Sequence, residues 1–402
     1  MSMTFLATRS GPEAEAGDHP MLDTRAIDEL IAWMVDGARP GGNPEDILAR
    51  ICERLVAAGV ALDRFALFVN TLHPNIAGRR LLWEPDKGMS MIEGSIELFA
   101  SADYLRSPLP LVSDRQLALR RRLTDGDLSE FDILGELRAE GFTDYLALPL
   151  VFTSGEAHVV TFASKARDGF PMEAVDALQL VQGPLARLVE AYLLRLNAAS
   201  ILSAYVGRNS GEHILNGRVH RGDGEEIDAV ILFTDLIGFT EMSNKWSGRE
   251  IVSLLNDAFD LVVPPVELHG GEILKFLGDG FFAIFPYTSA NGPRAAIEAA
   301  SRAVLAGERN LAESPLGNSV AFRSALHAGR FHYGNIGGAT RLDFTAIGRP
   351  INYAARLLEA ASTLELDRVA SQDIADRLCV APKLAATVAF KGFEAQQHIY
   401  AY

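Results

Sequence analysis

Two acidic residues at the ends of apolar segments are the first candidates for chemistry. Asp235 follows the apolar run 229–234, and Asp279 lies between two glycines in the turn that separates two further apolar runs. Carboxylates are preferred ligands of hard cations such as Mg²⁺, so a pair of them could form a metal site. Aspartate also favours turns and caps, so an ordinary structural role is open for both residues.

The segment that follows Asp235 is a candidate for binding phosphate. Gly238, Phe239 and Thr240 turn from the strand into a helix, and backbone N–H groups at a helix N-terminus can bind phosphate oxygens. Further along, Arg323 precedes an apolar strand and could meet an anion or simply be solvated. His327 in the same strand fits either a metal ligand or a satisfied core histidine.

Three more polar residues could take part in chemistry. Lys275 interrupts an apolar strand, where a lysine is costly to bury unless an anionic or hydrogen-bonding group meets it. Asn352 and Arg356 stand four residues apart after a Gly-Arg-Pro turn, so they share one face of the predicted helix. That face could equally be an ordinary solvated one.

The elements that must position these residues can be read from the apolar pattern. A buried strand is predicted at 229–233, and the Gly-Asp-Gly turn predicts a hairpin. Strand and helix patterns then alternate to the end of the chain. This alternation predicts an α+β or α/β domain over 229–402.

The N-terminal half predicts a separate domain. Residues 1–23 are rich in Gly, Pro, Ser and acids, which favours a disordered tail. Over 24–195, helices are followed by paired strands, a helix near 133–140, two more strands and a long helix. That order resembles a GAF-type sensor domain, with PAS-like and other α+β folds as alternatives. No strand pattern emerges over 85–130.

The connection between the two halves is predicted at 196–228, as a signalling helix followed by a polar linker. An apolar seam typical of a parallel coiled coil runs along that helix, at Leu193, Leu196, Ile201 and Leu202. The sensor domain could respond to a small ligand, to a partner protein or to dimerisation alone.

Composition argues against several classes of partner and location. The chain of 402 residues carries a formal net charge of -15, which disfavours nucleic acid as a partner. No apolar run approaches the roughly eighteen residues of a membrane helix, and no signal peptide is recognisable, so no membrane span is predicted. Two distant cysteines, Cys52 and Cys379, fit a reducing compartment. A cytoplasmic location is expected.

Taken in order, the motifs FTDLIGFT, KFLGDG, FRSALHAG and FTAIGRPINYAARL resemble the catalytic domain of class III adenylate and guanylate cyclases, over about 225–402. The resemblance implies a ferredoxin-like βαββαβ core that acts as a head-to-tail homodimer. It also implies conversion of ATP into cyclic AMP and pyrophosphate with two divalent metal ions, Mg²⁺ or Mn²⁺.

The resemblance assigns a role to each matching residue. The metal ligands would be Asp235, Asp279 and the backbone carbonyl of Leu236. The substrate groups would be Lys275 and Thr345 for adenine, Arg323 and Lys391 for the phosphates, the segment Gly238, Phe239 and Thr240, and the catalytic pair Asn352 and Arg356. Many members carry Asp where this chain has Thr345.

Base choice follows from hydrogen-bond polarity. A lysine ammonium donates to adenine N1, which accepts, whereas guanine presents an N1–H donor there. Lys275 therefore favours ATP over GTP, and a guanylate cyclase is the alternative. A catalytically silent dimerising or nucleotide-sensing module is a second alternative. A cyclic-dinucleotide synthase is a third, although Gly278-Asp279-Gly280 matches its GGDEF-like turn poorly.

Overall fold

A computed structural model describes residues 21–125, 127–288, 292–317, 319–379 and 381–402. Most of the predicted disordered tail, residues 1–20, lies outside the described residues. The chain divides into two compact units, Met1–Ile201 and Leu202–Tyr402, and each is described by itself.

The first unit is built from helices around one antiparallel sheet. In chain order its elements are α1 Thr24–Val35, α2 Pro44–Ala57, β1 Arg64–Asn70, β2 Ile76–Glu84, β3 Gly88–Ser95, a 3₁₀ helix Ile96–Ala100, α3 Ala102–Leu105, α4 Leu109–Arg115, β4 Leu119–Arg122, α5 Asp132–Ala139, β5 Asp144–Val151, β6 Ala157–Ser164 and α6 Met172–Val206.

The six strands of this sheet run in the order β3-β2-β1-β6-β5-β4. Helices α1, α2 and α6 cover one face through a core that includes Phe65, Leu67 and Leu178. A second cluster, with Leu134 and Leu137 of α5, covers part of the other face. The predicted strand pairs and the long exit helix are confirmed. The GAF-type assignment of the unit stays a prediction.

Two features of this unit differ from expectation. The segment 85–130 contains β3, β4 and short helices, and β3 gave no pattern because its glycines and serines show no inside-outside alternation. The predicted coiled-coil seam is wrong at its start. Leu193 is only 6% exposed within the core of its own unit, and Leu196 packs against the same core.

The second unit is a larger mixed sheet with helices on both faces. It contains, in chain order, α7 Arg208–Leu215, β7 Gly224–Leu236, α8 Phe239–Lys245, α9 Gly248–Leu268, β8 Glu272–Phe276, β9 Phe281–Pro286, α10 Gly292–Glu313, β10 Phe322–Gly337, β11 Leu342–Ile347, α11 Arg349–Thr363, β12 Arg368–Ser371, α12 Gln372–Ala375, β13 Lys383–Ala389 and β14 Gln396–Ala401.

The core of this sheet confirms the predicted βαββαβ pattern. The succession β7-α9-β8-β9-α10-β10 forms four strands in the order β10-β7-β9-β8, with antiparallel neighbours. This is the ferredoxin-like arrangement. Strand β12 extends the sheet in parallel beside β10, followed by β14 and β13, and β11 pairs with the far end of β10.

Alternation along β7 sends its side chains to two different layers. Leu232 and Leu236 pack with helices α9 and α10. Ile231 and Phe233 pack on the opposite face with Ala354 of α11. Asp235 shares the parity of this second set, so it leaves the sheet on the α11 side.

The polar stretch predicted as a linker is partly folded. Strand β7 begins at Gly224 rather than at Ala229, and α7 forms within the predicted linker. Ser210 is buried and its hydroxyl lies 2.6 Å from the hydroxyl of Tyr333. Asn209 donates from its backbone and its side chain to Glu272 on β8, at 3.1 and 2.6 Å. These polar residues are paired to the sheet, which composition alone did not reveal.

Only Gly207 separates the end of α6 from the start of α7. Its φ of +87° lies in the region that favours glycine, and a Cβ there would come within 3.1 Å of a Glu272 carboxylate oxygen. Among the described residues, no helix is both long and apolar enough to cross a membrane.

Candidate active site

The two aspartates singled out by the sequence come together in the second unit. Asp235 stands at the end of β7, and Asp279 stands at the tip of the β8–β9 hairpin. The pKa of Asp279 is raised from 3.8 to about 6, mainly by partial burial. A hydrogen bond with the Asp235 carboxyl and the negative charge of that carboxyl add to the shift. Such a shift is typical of two carboxylates that share one site.

The backbone around the pair explains this approach. The hydroxyl of Thr234 accepts from the backbone N–H of Phe281 at 3.0 Å and lies 3.3 Å from its carbonyl. Gly280 allows closer contact than any other residue could, because a Cβ there would lie 1.9 Å from the Thr234 carbonyl oxygen and 3.0 Å from Cα of Asp235. The sequence analysis did not identify either positioning role.

The donor set fits a divalent cation. No basic side chain of the described chain forms an ion pair with Asp235 or Asp279, so two like charges face each other uncompensated. No third His, Cys, Asp or Glu in the described residues completes a metal cluster with them. Mg²⁺ is usually bound by one or two carboxylates plus substrate phosphates and water, and this pair matches that pattern.

Lys275 has a partner that the sequence analysis did not name. Its ammonium lies 2.6 Å from a carboxylate oxygen of Asp343, and both side chains are about half exposed. Asp343 and Thr345 both lie on β11 and share parity, so they face the same side of that strand. Asp343 lies two positions before Thr345, and this spacing could have indicated from the sequence that Lys275 has an acidic partner.

The predicted face of α11 is confirmed. Tyr353 and Leu357 are buried, whereas Asn352 and Arg356 are exposed. The guanidinium of Arg356 binds both carboxylate oxygens of Glu359, one turn further along, at 2.8 and 2.6 Å. Within the described residues, no hydrogen bond or ion pair joins Lys275 or Arg356 to the aspartate pair.

Arg323 and His327 lie inside the sheet rather than in solvent. Arg323 is 8% exposed, stands opposite Asp235 in the strand register, and donates to the Leu366 carbonyl at 2.9 Å. A solvated role for Arg323 is therefore wrong. His327 is buried 2.8 Å from the Ser371 hydroxyl, and burial lowers its pKa to about 4. The core role of His327 is confirmed, and it is not part of a metal cluster.

The remaining predicted residues lie at the surface. Gly238 has a φ of +79° and caps the short helix α8, where Thr240 is exposed and Phe239 packs partly against the α9–α10 core. Lys391 is exposed after β13. Their roles in phosphate binding stay predictions.

Comparison with known protein families gives a match within the second unit. Residues 224–374 match the family model for the adenylate and guanylate cyclase catalytic domain. The second unit therefore contains a catalytic domain of the class III cyclase family, as the motif order indicated.

Similar proteins each match about a third of this chain. An uncharacterized protein of Mycobacterium tuberculosis is 36% identical over 146 residues, which are 36% of this chain and 26% of that protein. Adenylate cyclase 1 of Rhizobium meliloti is 35% identical over 136 residues, which are 32% of this chain and 20% of that enzyme. The chain thus spans about a quarter of the length of these relatives.

Among solved structures, the adenylyl cyclase CyaB from P. aeruginosa is 26% identical, with a TM-score of 0.40 over 44% of this chain and 94% of that one. The guanylyl cyclase Cya2 is 22% identical, with a TM-score of 0.37 over 44% of this chain and 92% of that one.

Substitution of Gly280 tests the packing that holds the pair together. In Gly280→Ala the new methyl group would collide with the Thr234 carbonyl, so we expect a loss of about 1–3 kcal/mol in unfolding free energy. Stabilisation by Mn²⁺ in thermal denaturation should also fall. Gly248→Ala is the matched control, since a Cβ there meets nothing within 4 Å. Equal effects of both substitutions would contradict the assignment.

The pH dependence of metal binding tests the carboxylate pair. Because the folded pKa of Asp279 is raised to about 6, its neutral form favours the metal-free fold at low pH, and that contribution is lost as pH rises through 6. At pH 7.5, Mn²⁺ at a hundredfold excess over Kd should raise Tm by about 5–10 °C. The shift should shrink as pH falls below 6, because protons then compete with the ion.

Asp279→Asn should abolish most of this Mn²⁺ effect and raise the metal-free Tm at pH 7.5. Asp257→Asn, on the exposed surface of α9, should behave like wild type. A Mn²⁺ shift of equal size at pH 5 and pH 7.5 would rule out the pair as the metal site.

Proposed function

We propose that this protein is an adenylate cyclase that converts ATP into 3′,5′-cyclic AMP and pyrophosphate at the interface of a homodimer. The observation that carries the proposal is the pair Asp235 and Asp279, held together without a protein cation in a cyclase catalytic domain. The relative from Rhizobium meliloti, an adenylate cyclase by name, supports the choice of reaction.

Asp235 and Asp279, with the carbonyl of Leu236, would hold two divalent ions, Mg²⁺ or Mn²⁺. Bound there, such ions stabilise both the attacking 3′-oxygen and the leaving pyrophosphate. The pair does this only when both carboxylates are ionised. The proton that Asp279 keeps below pH 6 therefore sets the acidic limit of activity.

The basic residues of the chain would bind and orient ATP. Arg356 offers fixed donors to the charge that develops on the phosphoryl oxygens, and Asn352 on the same helix face orients the ribose. Arg323 and Lys391 bind the outer phosphates, and the backbone of Gly238, Phe239 and Thr240 adds N–H donors. Arg356 must exchange Glu359 for the substrate, since the two are paired in the free chain.

Purine choice would depend on Lys275 and Thr345. The Lys275 ammonium donates to adenine N1, and Thr345 bonds the exocyclic amine. Asp343 accepts a hydrogen bond from the same ammonium at 2.6 Å, which fixes the direction of the lysine side chain. The pair therefore disfavours guanine, whose N1–H would face another donor.

The homodimer rests on the resemblance to class III cyclases, in which the two residue sets come from different protomers. One protomer would supply the aspartate pair, and its partner would supply Lys275, Thr345, Asn352 and Arg356. A two-fold symmetric dimer then contains two equivalent sites. The first unit would regulate this assembly, and deletion of residues 1–200 should change either the activity or its regulation.

Cyclic AMP synthesis by the purified protein tests the proposal. With Mn²⁺ or Mg²⁺, Asp279→Ala should be inactive, because one of the two metal carboxylates is gone. Arg356→Ala should lose ~10²–10³ in rate, as expected for one transition-state donor. The controls are Asp257→Ala and Arg309→Ala, both on exposed helix surfaces. Full activity of Asp279→Ala would refute the metal assignment.

Mixing the two inactive variants tests the shared site. Each Asp279→Ala/Arg356→Ala heterodimer carries both lesions in one site and an intact second site. With free exchange of subunits, about one quarter of the wild-type activity should return. If mixing restored no activity although heterodimers had formed, each site would belong to a single chain.

The ratio of ATP to GTP turnover tests base selection. Lys275→Met should lower kcat/KM for ATP and narrow the preference over GTP by at least tenfold, because the donor to adenine N1 is lost. Asp343→Asn should change the same ratio less and in the same direction. A preference for GTP in the wild type would make the protein a guanylate cyclase.

A further inference from the structure

A cavity of about 550 Å³ opens on the sheet of the first unit. It lies on the face opposite the main core, over strands β1–β3, where the cluster around α5 leaves the sheet uncovered. Its volume is within the range of small-molecule sites, which is roughly 300–1,000 Å³. No residue of the proposed cyclase chemistry takes part in it.

The walls of this cavity are mainly apolar. Phe68, Ile92, Leu98 and Leu137 line it, and Ile92 and Leu98 are 52% and 40% exposed. Large apolar side chains around a concave surface gain free energy when an apolar ligand removes them from water. The cavity therefore suits a molecule with an apolar body.

Arg80 is one of several charged residues at the cavity, which also include the acids Asp103 and Glu136. Strand register places Arg80 opposite Phe68 on β1 and Ile92 on β3, so the three side chains share the cavity face. Its Nε is buried and has no hydrogen-bond partner among the described residues. A buried donor of a charged group that is left unpaired is costly, and native proteins rarely retain one without a reason.

The other arginines at the cavity each form an ion pair with an acid, although Nη1 of Arg79 is also buried without a hydrogen-bond partner among the described residues. Arg79 binds Glu93 at 2.8 Å and Arg106 lies 3.7 Å from Asp132. Arg64 lies 3.5 Å from Glu140. In the described part of the chain, no acidic side chain comes within ion-pair distance of Arg80. Its charge is thus free to meet an anionic group that enters the cavity.

We propose that this cavity binds a small amphipathic anion, an organic molecule with an apolar body and a single carboxylate or phosphate head that Arg80 receives. The planar guanidinium matches both heads, since each offers two oxygens to its donors. The body covers the exposed Ile92 and Leu98 side chains. The ligand therefore meets the unpaired charge of Arg80 and covers the exposed apolar wall together.

Calorimetric titration of the full chain with three matched probes tests the proposal. The probes are octanoate, octyl phosphate and octan-1-ol, each below the concentration at which it aggregates. They share one apolar chain and differ in the head. At least one anion should bind tenfold or more tightly than the alcohol, since hydrogen bonds between charged groups are stronger than those to a neutral hydroxyl. The anion that binds more tightly shows whether the cavity prefers a carboxylate or a phosphate head group.

Substitutions at Arg80 separate the anion site from general apolar binding. Arg80→Met keeps the length of the side chain and should abolish the advantage of the anion over octan-1-ol. Arg80→Lys, which keeps the charge, should retain most of it. Arg195→Met, on the exposed surface of α6, should match wild type. Circular dichroism checks that each variant is folded.

Three results would overturn the proposal. The first is equal affinity of wild type for the anions and the alcohol. The second is an unchanged anion preference in folded Arg80→Met. The third is no binding of any probe.

Discussion

The mutual repulsion of two carboxylates is the constraint on which the second unit depends. Partial burial and the neighbouring Asp235 carboxyl raise the pKa of Asp279 to about 6, because a second negative charge in one site is costly. Nothing basic in the described chain relieves that repulsion. The fold brings the two groups together, and a divalent cation held by both would neutralise their charge.

Two local contacts, made by Thr234 and Gly280, hold the two aspartates close together. The Thr234 hydroxyl locks the start of β9 to the end of β7, and Gly280 brings the hairpin against the Thr234 carbonyl. The ferredoxin-like strand order makes this possible, since it sets β7 and β9 side by side. Residues distant in sequence thus acquire one shared function through strand pairing.

Local sequence patterns predicted the elements and the polar side chains, because strand alternation, hairpin turns and helix faces depend on neighbouring residues. The core role considered for His327 came from such patterns, whereas the βαββαβ order came from the resemblance of the motifs to the class III cyclase catalytic domain. The pairing of Lys275 with Asp343, the position of Arg323 inside the sheet and the docking of α7 came from neither. Each depends on a contact between segments far apart in the chain, which composition and periodicity do not encode.

Gly207 is the single residue between α6 and α7. Gly207 packs against Glu272, and Asn209 holds the same carboxylate with two hydrogen bonds. Glu272 opens the strand that carries Lys275. Because Asn209 belongs to α7, a displacement of α7 would change the position of the strand on which the lysine stands.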